Sequence, residues 1–192
     1  MKKILIGTHN QGKFKEIGYL ISKKYKKISP ASLRIESPKE TGKTFISNSK
    51  LKVNFFSKFV DYPIISDDSG LCIKSLNNKP GIYSARLAKR HGSFFKAMQF
   101  ILKKLKRKKN RSAFFICSLS FKYPGCKTIS VLGKIKGKIS NKILGKKGFG
   151  YDPIFIPEKQ KITFGQMSKL NKIKIDHRFI AFKKLKKKVK IL

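Results

Sequence analysis

"KILIGTHNQGKFKEIGYLI", residues 3–21, sets the fold class. Its first five residues, "KILIG", read as a short buried strand. From Gly12 onward the apolar side chains fall at Phe14, Ile17, Leu20 and Ile21, which is helical spacing. A strand that feeds a helix through a short polar turn is the building unit of α/β folds. Such a turn also aims unpaired backbone N–H groups and the positive end of the helix dipole at one point, where an anion is favoured. Gly7 and Gly12-Lys13 have the spacing of a P-loop. Position 14, however, is Phe where that motif needs Ser or Thr to reach Mg²⁺, and no hydroxyl follows within the next few residues. Phe14 is expected to face the core from the first turn of the helix. Lys13 adds a point charge to the loop, and Thr8 and Asn10 add side-chain donors. The plainer reading is a strand–helix connection with a solvated lysine.

Outward from this unit, residues 28–43 are polar and turn-rich. A second helix is expected over about 44–60, with Phe45, Leu51, Phe55, Phe56 and Phe59 as its inner face. "YPIIS" (62–66) reads as a strand ending at Asp67-Asp68-Ser69-Gly70. "KPGIYSAR" (79–86) reads as a Pro-Gly turn, and 94–107 as an amphipathic basic helix. Residues 112–123 and 128–139 look like paired strands around Pro124-Gly125. "GKKGFGYDPIFIP" (145–157) is too rich in glycine and aromatics for an ordinary element. A last helix is expected from about Asp176 through Phe179, Phe182, Leu185 and Val189. No linker or repeat interrupts this alternation, so residues 1–192 read as a single α/β domain on a mixed sheet.

Composition narrows the function classes. No run of 18 apolar residues exists, so no helix is expected to span a membrane. "MKKILIG" resembles the start of a signal peptide for seven residues only, before His9, Asn10, Gln11 and Lys13 break it. Three widely spaced cysteines (Cys72, Cys117 and Cys126) make neither a metal cluster nor a disulfide framework and suit a reducing, cytoplasmic setting. The formal charge of +38 raises the question of nucleic acid. Only six of the 47 basic residues are Arg, and the lysines are spread along the chain amid many Ile, Asn and Phe. A/T-rich codons encode that set, so specific nucleic-acid binding is not expected. The surface potential still attracts small anions such as nucleotides.

Against 47 basic residues stand nine acids, and these are correspondingly informative. Asp67-Asp68 at a strand end, Glu40 in a polar loop and Asp152 in the glycine-rich segment are the notable ones. Carboxylates converging on a phosphate-holding loop are what Mg²⁺ requires, although each alone could cap a turn or pair with a lysine. Phe149-Gly150-Tyr151-Asp152 offers a ring for stacking on a base, with glycines that permit close backbone approach. His177 and Arg178 open the last helix, where Arg can present several donors to a purine edge or a phosphate.

In order, "THNQGK", "ETG", "SDDSGL", "PGIYSAR", "GFGYDPIF" and "K-x4-HR" resemble the inosine/xanthosine triphosphate pyrophosphatase family, the XTP/dITP diphosphatases, from residue 4 to about 185. The resemblance implies an elongated α/β fold. It would have a mixed central sheet, flanking helices and two lobes around a nucleotide cleft. It also implies Mg²⁺-dependent hydrolysis of nonstandard purine nucleoside triphosphates (ITP, dITP, XTP) to the monophosphate and pyrophosphate, by a homodimer. On that basis Thr8, His9, Asn10, Gln11, Gly12 and Lys13 would hold the triphosphate, assisted by Lys52. Glu40 and Asp68 would bind Mg²⁺, Asp68 would also accept the proton of the attacking water, and Ser69 would contact substrate. Phe149, Gly150, Tyr151, Asp152, Lys172, His177 and Arg178 would form the base and sugar pocket, Phe149 stacking on the purine.

This chain departs from the family pattern at several positions. Asp176 stands where relatives have Ser before His-Arg; Asp and Ser both cap helices well, and a carboxylate there could alternatively accept the purine N1–H and loosen rejection of GTP. Lys39, Gln166 and Asn171 occupy commonly acidic positions, which bears on Mg²⁺ affinity. Two rival readings remain at this level: a Maf-like pyrophosphatase with another base preference, and a basic nucleic-acid-binding protein without catalysis.

Overall fold

The computed structural model describes residues 1–189. From Lys2 onward the chain alternates strand and helix: β1 (Lys2–Ile6), α1 (Gln11–Leu20), β2 (Tyr25–Ile28), α2 (Phe45–Phe56), β3 (Ile64–Ile73), β4 (Lys79–Pro80), α3 (Ser84–Arg90) and α4 (Phe94–Leu105). The rest comprises β5 (Ser112–Lys122), β6 (Ile129–Ile139), β7 (Phe155–Pro157), α5 (Lys169–Ile173) and α6 (His177–Lys188). The strands form one sheet in the order β2-β1-β3-β5-β6-β7, with β4 added to β3. β1 is parallel to β2 and to β3, whereas β3–β4 and β6–β7 are antiparallel, so the sheet is mixed as expected. Among the described residues no helix is long and apolar enough to cross a membrane, and none of the three cysteines is in a disulfide.

Contacts divide the chain into two compact units that are not continuous in sequence. The first comprises Met1–Asp68, Cys117–Gly133 and the segment from Arg178 onward. Here Ile4 and Ile6 of β1 pack with Ile17 and Ile21 of α1, Ile65 of β3, and Ala181, Phe182 and Leu185 of α6. Leu5 and Ile64 project from the opposite face and pack with Val53 and Phe56 of α2. The period of two along β1 and β3 thus serves one helix layer on each side. Each fully buried Ile or Leu contributes about 1.5–3 kcal/mol. Phe14 packs against the α1/α6 cluster, as its place in the sequence implied.

The second unit comprises Ser69–Ile116 and Lys134–His177. Leu71 and Ile73 of β3, Ala97, Met98 and Ile101 of α4, Phe115 of β5 and Phe155 of β7 build its core. The buried residues of α4 recur at Ala97, Met98, Ile101 and Leu105, matching the amphipathic pattern in the sequence.

Three expectations are corrected. β3 does not stop at Ser66: it is ten residues long and runs on to Ile73, so Asp67 and Asp68 lie mid-strand rather than at a strand end. Of the inner face expected for α2, Phe56 is buried and Phe55 packs beside it, but the other buried residues are Asn48, Ser49, Lys52 and Val53, while Phe59 lies beyond the helix and is exposed. Ser49 Oγ is 2.7 Å from both Ser118 Oγ and Ser120 Oγ. A polar face can be buried in this way because its groups find partners inside. "KPGIYSAR" also does more than turn: it continues into α3.

Candidate active site

The loop after β1 is shaped by a glycine that cannot be larger. A Cβ on Gly7 would run into the Ser66 hydroxyl and come within 2.7 Å of the Phe56 ring. Thr8 Oγ1 accepts the Asn10 amide at 3.2 Å, and Asn10 Oδ1 accepts the Lys13 amide at 3.0 Å, capping α1. The oxygens of these two side chains act as acceptors that organise the loop, while the Thr8 hydroxyl proton and the Asn10 Nδ2 group keep their capacity to donate. The cap leaves the backbone amides of Gln11 and Gly12 with no protein acceptor among the described residues, at the positive end of a ten-residue helix. His9 Nδ1 lies 2.6 Å from Ser37 Oγ, tying this loop to the segment that carries Glu40.

Next to the loop, the first unit gathers charge. In the first unit's part of β3, Ile65 and Asp67 face the α1/α6 layer while Ile64 and Asp68 face α2, so the consecutive carboxylates serve different layers. Asp67 Oδ2 lies 3.1 Å from Lys13 Nζ and 3.6 Å from Arg178 Nε. Arg178 Nη1 lies 2.9 Å from Glu16 Oε2 on α1. On the α2 side, Asn48 Nδ2 donates to Asp68 Oδ2 at 3.0 Å, and Lys52 Nζ lies 2.7 Å from Glu40 Oε1.

The two aspartates are driven in opposite directions. Burial works against ionisation of both. At Asp67 it is outweighed by Lys13, Arg178 and Lys52, which hold the carboxyl at about 2. At Asp68 burial prevails over the same two lysines, with Glu40 adding repulsion, and the carboxyl is pushed up to about 6. Burial opposes the charged form of Lys52 too, but Asp67, Glu40 and Asp68 together raise its pKa. Adjacent acids whose environments push them apart are suited to different tasks, one a fixed charge and the other a proton acceptor near neutral pH.

The second unit gathers the other predicted residues. Gly148, at φ 74°, lets the chain turn where a Cβ would meet the Asp152 carboxylate. Asp152 Oδ2 accepts the Phe149 amide at 2.9 Å and pairs with Lys172 Nζ at 2.6 Å. That ammonium also sits 4.8 Å from the centroid of the Phe149 ring. Phe149, Asp152 and Lys172 are thus brought together as expected, with Gly150 in the turn. Tyr151 is turned into the core, where its hydroxyl donates to the Ser84 carbonyl at 2.9 Å and burial raises its pKa. The buried His177 ring stacks on Phe115 at 4.8 Å, and Asp176 is wholly buried just before α6. Gln166 Oε1 accepts the Thr163 amide at 3.0 Å, holding a local turn.

Asp67 stands out in the sequence but without a task. Glu16 is marked there only as one of nine acids, and nothing in the sequence marks Asn48.

The sequence profile of the Ham1 family matches residues 4–188. The chain belongs to the Ham1 family. Among its relatives, a dITP/XTP pyrophosphatase of Bacillus subtilis is 39% identical over 191 residues, covering 97% of this chain and 96% of the relative. One of Caulobacter vibrioides is 36% identical, with 96% of each chain covered. The solved Ham1 protein of Staphylococcus aureus superposes with a TM-score of 0.86 at 36% identity, covering 98% of both chains.

The acids of this Ham1 protein suit a hard divalent cation of one kind. Among the described residues no three His, Cys, Asp or Glu side chains cluster, so no protein-only cage exists. Mg²⁺ needs only one or two carboxylates when substrate phosphates and water complete its shell. Asp68 and Glu40, which repel one another, fit that requirement, and a cation there would offset the burial that now raises Asp68.

Proposed function

We propose that this Ham1 protein hydrolyses nonstandard purine nucleoside triphosphates (ITP, dITP and XTP) to the monophosphate and pyrophosphate, and so cleanses the nucleotide pool. The observation that carries the reading is Asp68, a buried carboxylate poised near 6 with Asn48, Lys52 and Glu40 around it and Lys13 close by. The names of the relatives, dITP/XTP pyrophosphatases, agree with it.

In this reading Gln11 and Gly12 N–H groups and Lys13 take the phosphates, assisted by Lys52. Glu40 and Asp68 would hold Mg²⁺, which when bound supplies charge neutralisation for the leaving pyrophosphate. Asp68 accepts a proton as water attacks the α-phosphorus; the bond from that phosphorus to the α–β bridging oxygen breaks, and the oxygen leaves with pyrophosphate. Lys13 and the loop amides steady the charge that develops there. Phe149 stacks on the purine, with Asp152 and Lys172 fixing the turn that presents it, and Ser69, Gly150, Tyr151 (through its backbone), His177 and Arg178 complete the base and sugar pocket. Such a pocket rejects adenine where its own polar groups would be left unpaired. The working form is a homodimer in the cytoplasm.

A nucleotide panel with and without Mg²⁺ tests the function. Pyrophosphate release from ITP and XTP that exceeds that from ATP and GTP, and stops on chelation, is expected. Full activity of Asp68→Asn would remove the assigned base.

A further inference from the structure

Asp67 has no task in that mechanism, yet it is the most completely buried charge of the first unit, at 0% exposure. A carboxylate in such a place is costly, and replacing a buried ion cluster by apolar groups of similar volume is often neutral or stabilising. Stability alone therefore gives a weak reason for its presence. The geometry gives another. One oxygen, Oδ2, faces two cations from two elements: Lys13 in the first turn of α1 and Arg178 in the first turn of α6. Glu16, one turn on from Lys13, holds the far side of the Arg178 guanidinium. Glu16, Arg178, Asp67 and Lys13 thus form an alternating chain of charges whose middle anion is fixed by the sheet. Lys13 Nζ reaches Asp67 on one face of β3, while its charge is also felt by Asp68 on the other.

We propose that Asp67 is a positioning residue that sets where Lys13 and Arg178 stand, so that the Lys13 ammonium meets the leaving pyrophosphate beside Asp68 without searching for its place. This rests on the pyrophosphatase reading of the same site. Asp67 touches neither substrate nor metal; it acts through the two cations. An anchored donor stabilises developing charge without reorganisation at the moment of reaction, so its loss falls on kcat rather than on ground-state binding.

A double-mutant cycle on ITP hydrolysis tests the proposal. Asp67→Asn should lower kcat by roughly 30- to 100-fold with KM changed by less than about 3-fold. On a Lys13→Met background the same substitution should lower kcat by less than about 3-fold, because the lysine is gone and Glu16 still holds Arg178 in place. A penalty of equal size on both backgrounds, or an undiminished kcat in Asp67→Asn, overturns the proposal. If Asp67→Asn does not fold, Asp67→Ser replaces it in the cycle. Independently of any variant, reductive methylation of the wild-type protein should label Lys13 more slowly than exposed Lys15 on the same helix. Equal rates would show that the pair does not exist in solution, which overturns the proposal as well. This labelling is informative even if no nucleotide is hydrolysed, in which case the reading of the function fails separately.

Discussion

Asp68 and Asp67 differ by one position and respond oppositely to pH. In the metal-free protein the Asp68 carboxyl lies near 6 against an ordinary value of 3.8, so between these values the folded state binds the proton that the unfolded state has released. Its ionisation therefore costs stability fully above about pH 6 and not at all below about pH 4. Asp68→Asn should make the metal-free protein more stable than wild type at pH 7.5, by roughly 1–3 kcal/mol, with the advantage gone below pH 4. Urea titrations across this range measure it, and an advantage that grows towards low pH would contradict the assignment. Asp67, held near 2, works the other way: it stabilises above about pH 4, and that stabilisation is lost as pH falls through about 2. The same Asp68→Asn change should reduce kcat for ITP by about 10²–10⁴-fold.

At the scale of elements, the loop that enters α1 keeps its shape only as long as its cap holds. Asn10→Ala should lower stability by about 1 kcal/mol and raise KM for ITP, since the Lys13 amide would lose its acceptor and the loop its shape. Denaturation midpoints and initial rates read the two effects separately. In the second unit, α5 is only five residues long and is pinned by the buried Lys172–Asp152 pair. Lys172→Met leaves a buried carboxylate behind and should destabilise by about 3–5 kcal/mol. Elements of this kind also show what the sequence does and does not disclose. β1 is legible as a short unbroken apolar run, and α1, α4, β5, β6 and α6 because their apolar residues recur with the period of their element. α2 is not, because phenylalanines outside its inner face compete with the true buried face, whose Asn48, Ser49 and Lys52 look solvent-directed until their partners arrive from β3, β5 and the Glu40 loop. β4, α3 and α5 are too short to carry a period at all.

Across the whole molecule, 47 basic residues face nine acids, and the surplus acts as a field rather than as a set of pairs. Self-repulsion of that field is screened by salt, with a Debye length of about 10 Å at 0.1 M and about 3 Å at 1 M. Raising NaCl should therefore raise the melting temperature while also raising KM for ITP, whose negative charge the field attracts; a melting temperature that falls would contradict this. The division into two units is invisible along the chain because both are assembled from returning segments, with β3, β5 and β6 passing through both. The candidate site was legible in its motifs, loop by loop, but the pairing of Asp67 with Lys13 and Arg178 joins residues far apart in sequence.

Cleavage between the α and β phosphates is read most directly by ³¹P NMR of ITP turned over with Mg²⁺. IMP and pyrophosphate are expected as the first products, with no IDP at any time. IDP with orthophosphate would contradict it.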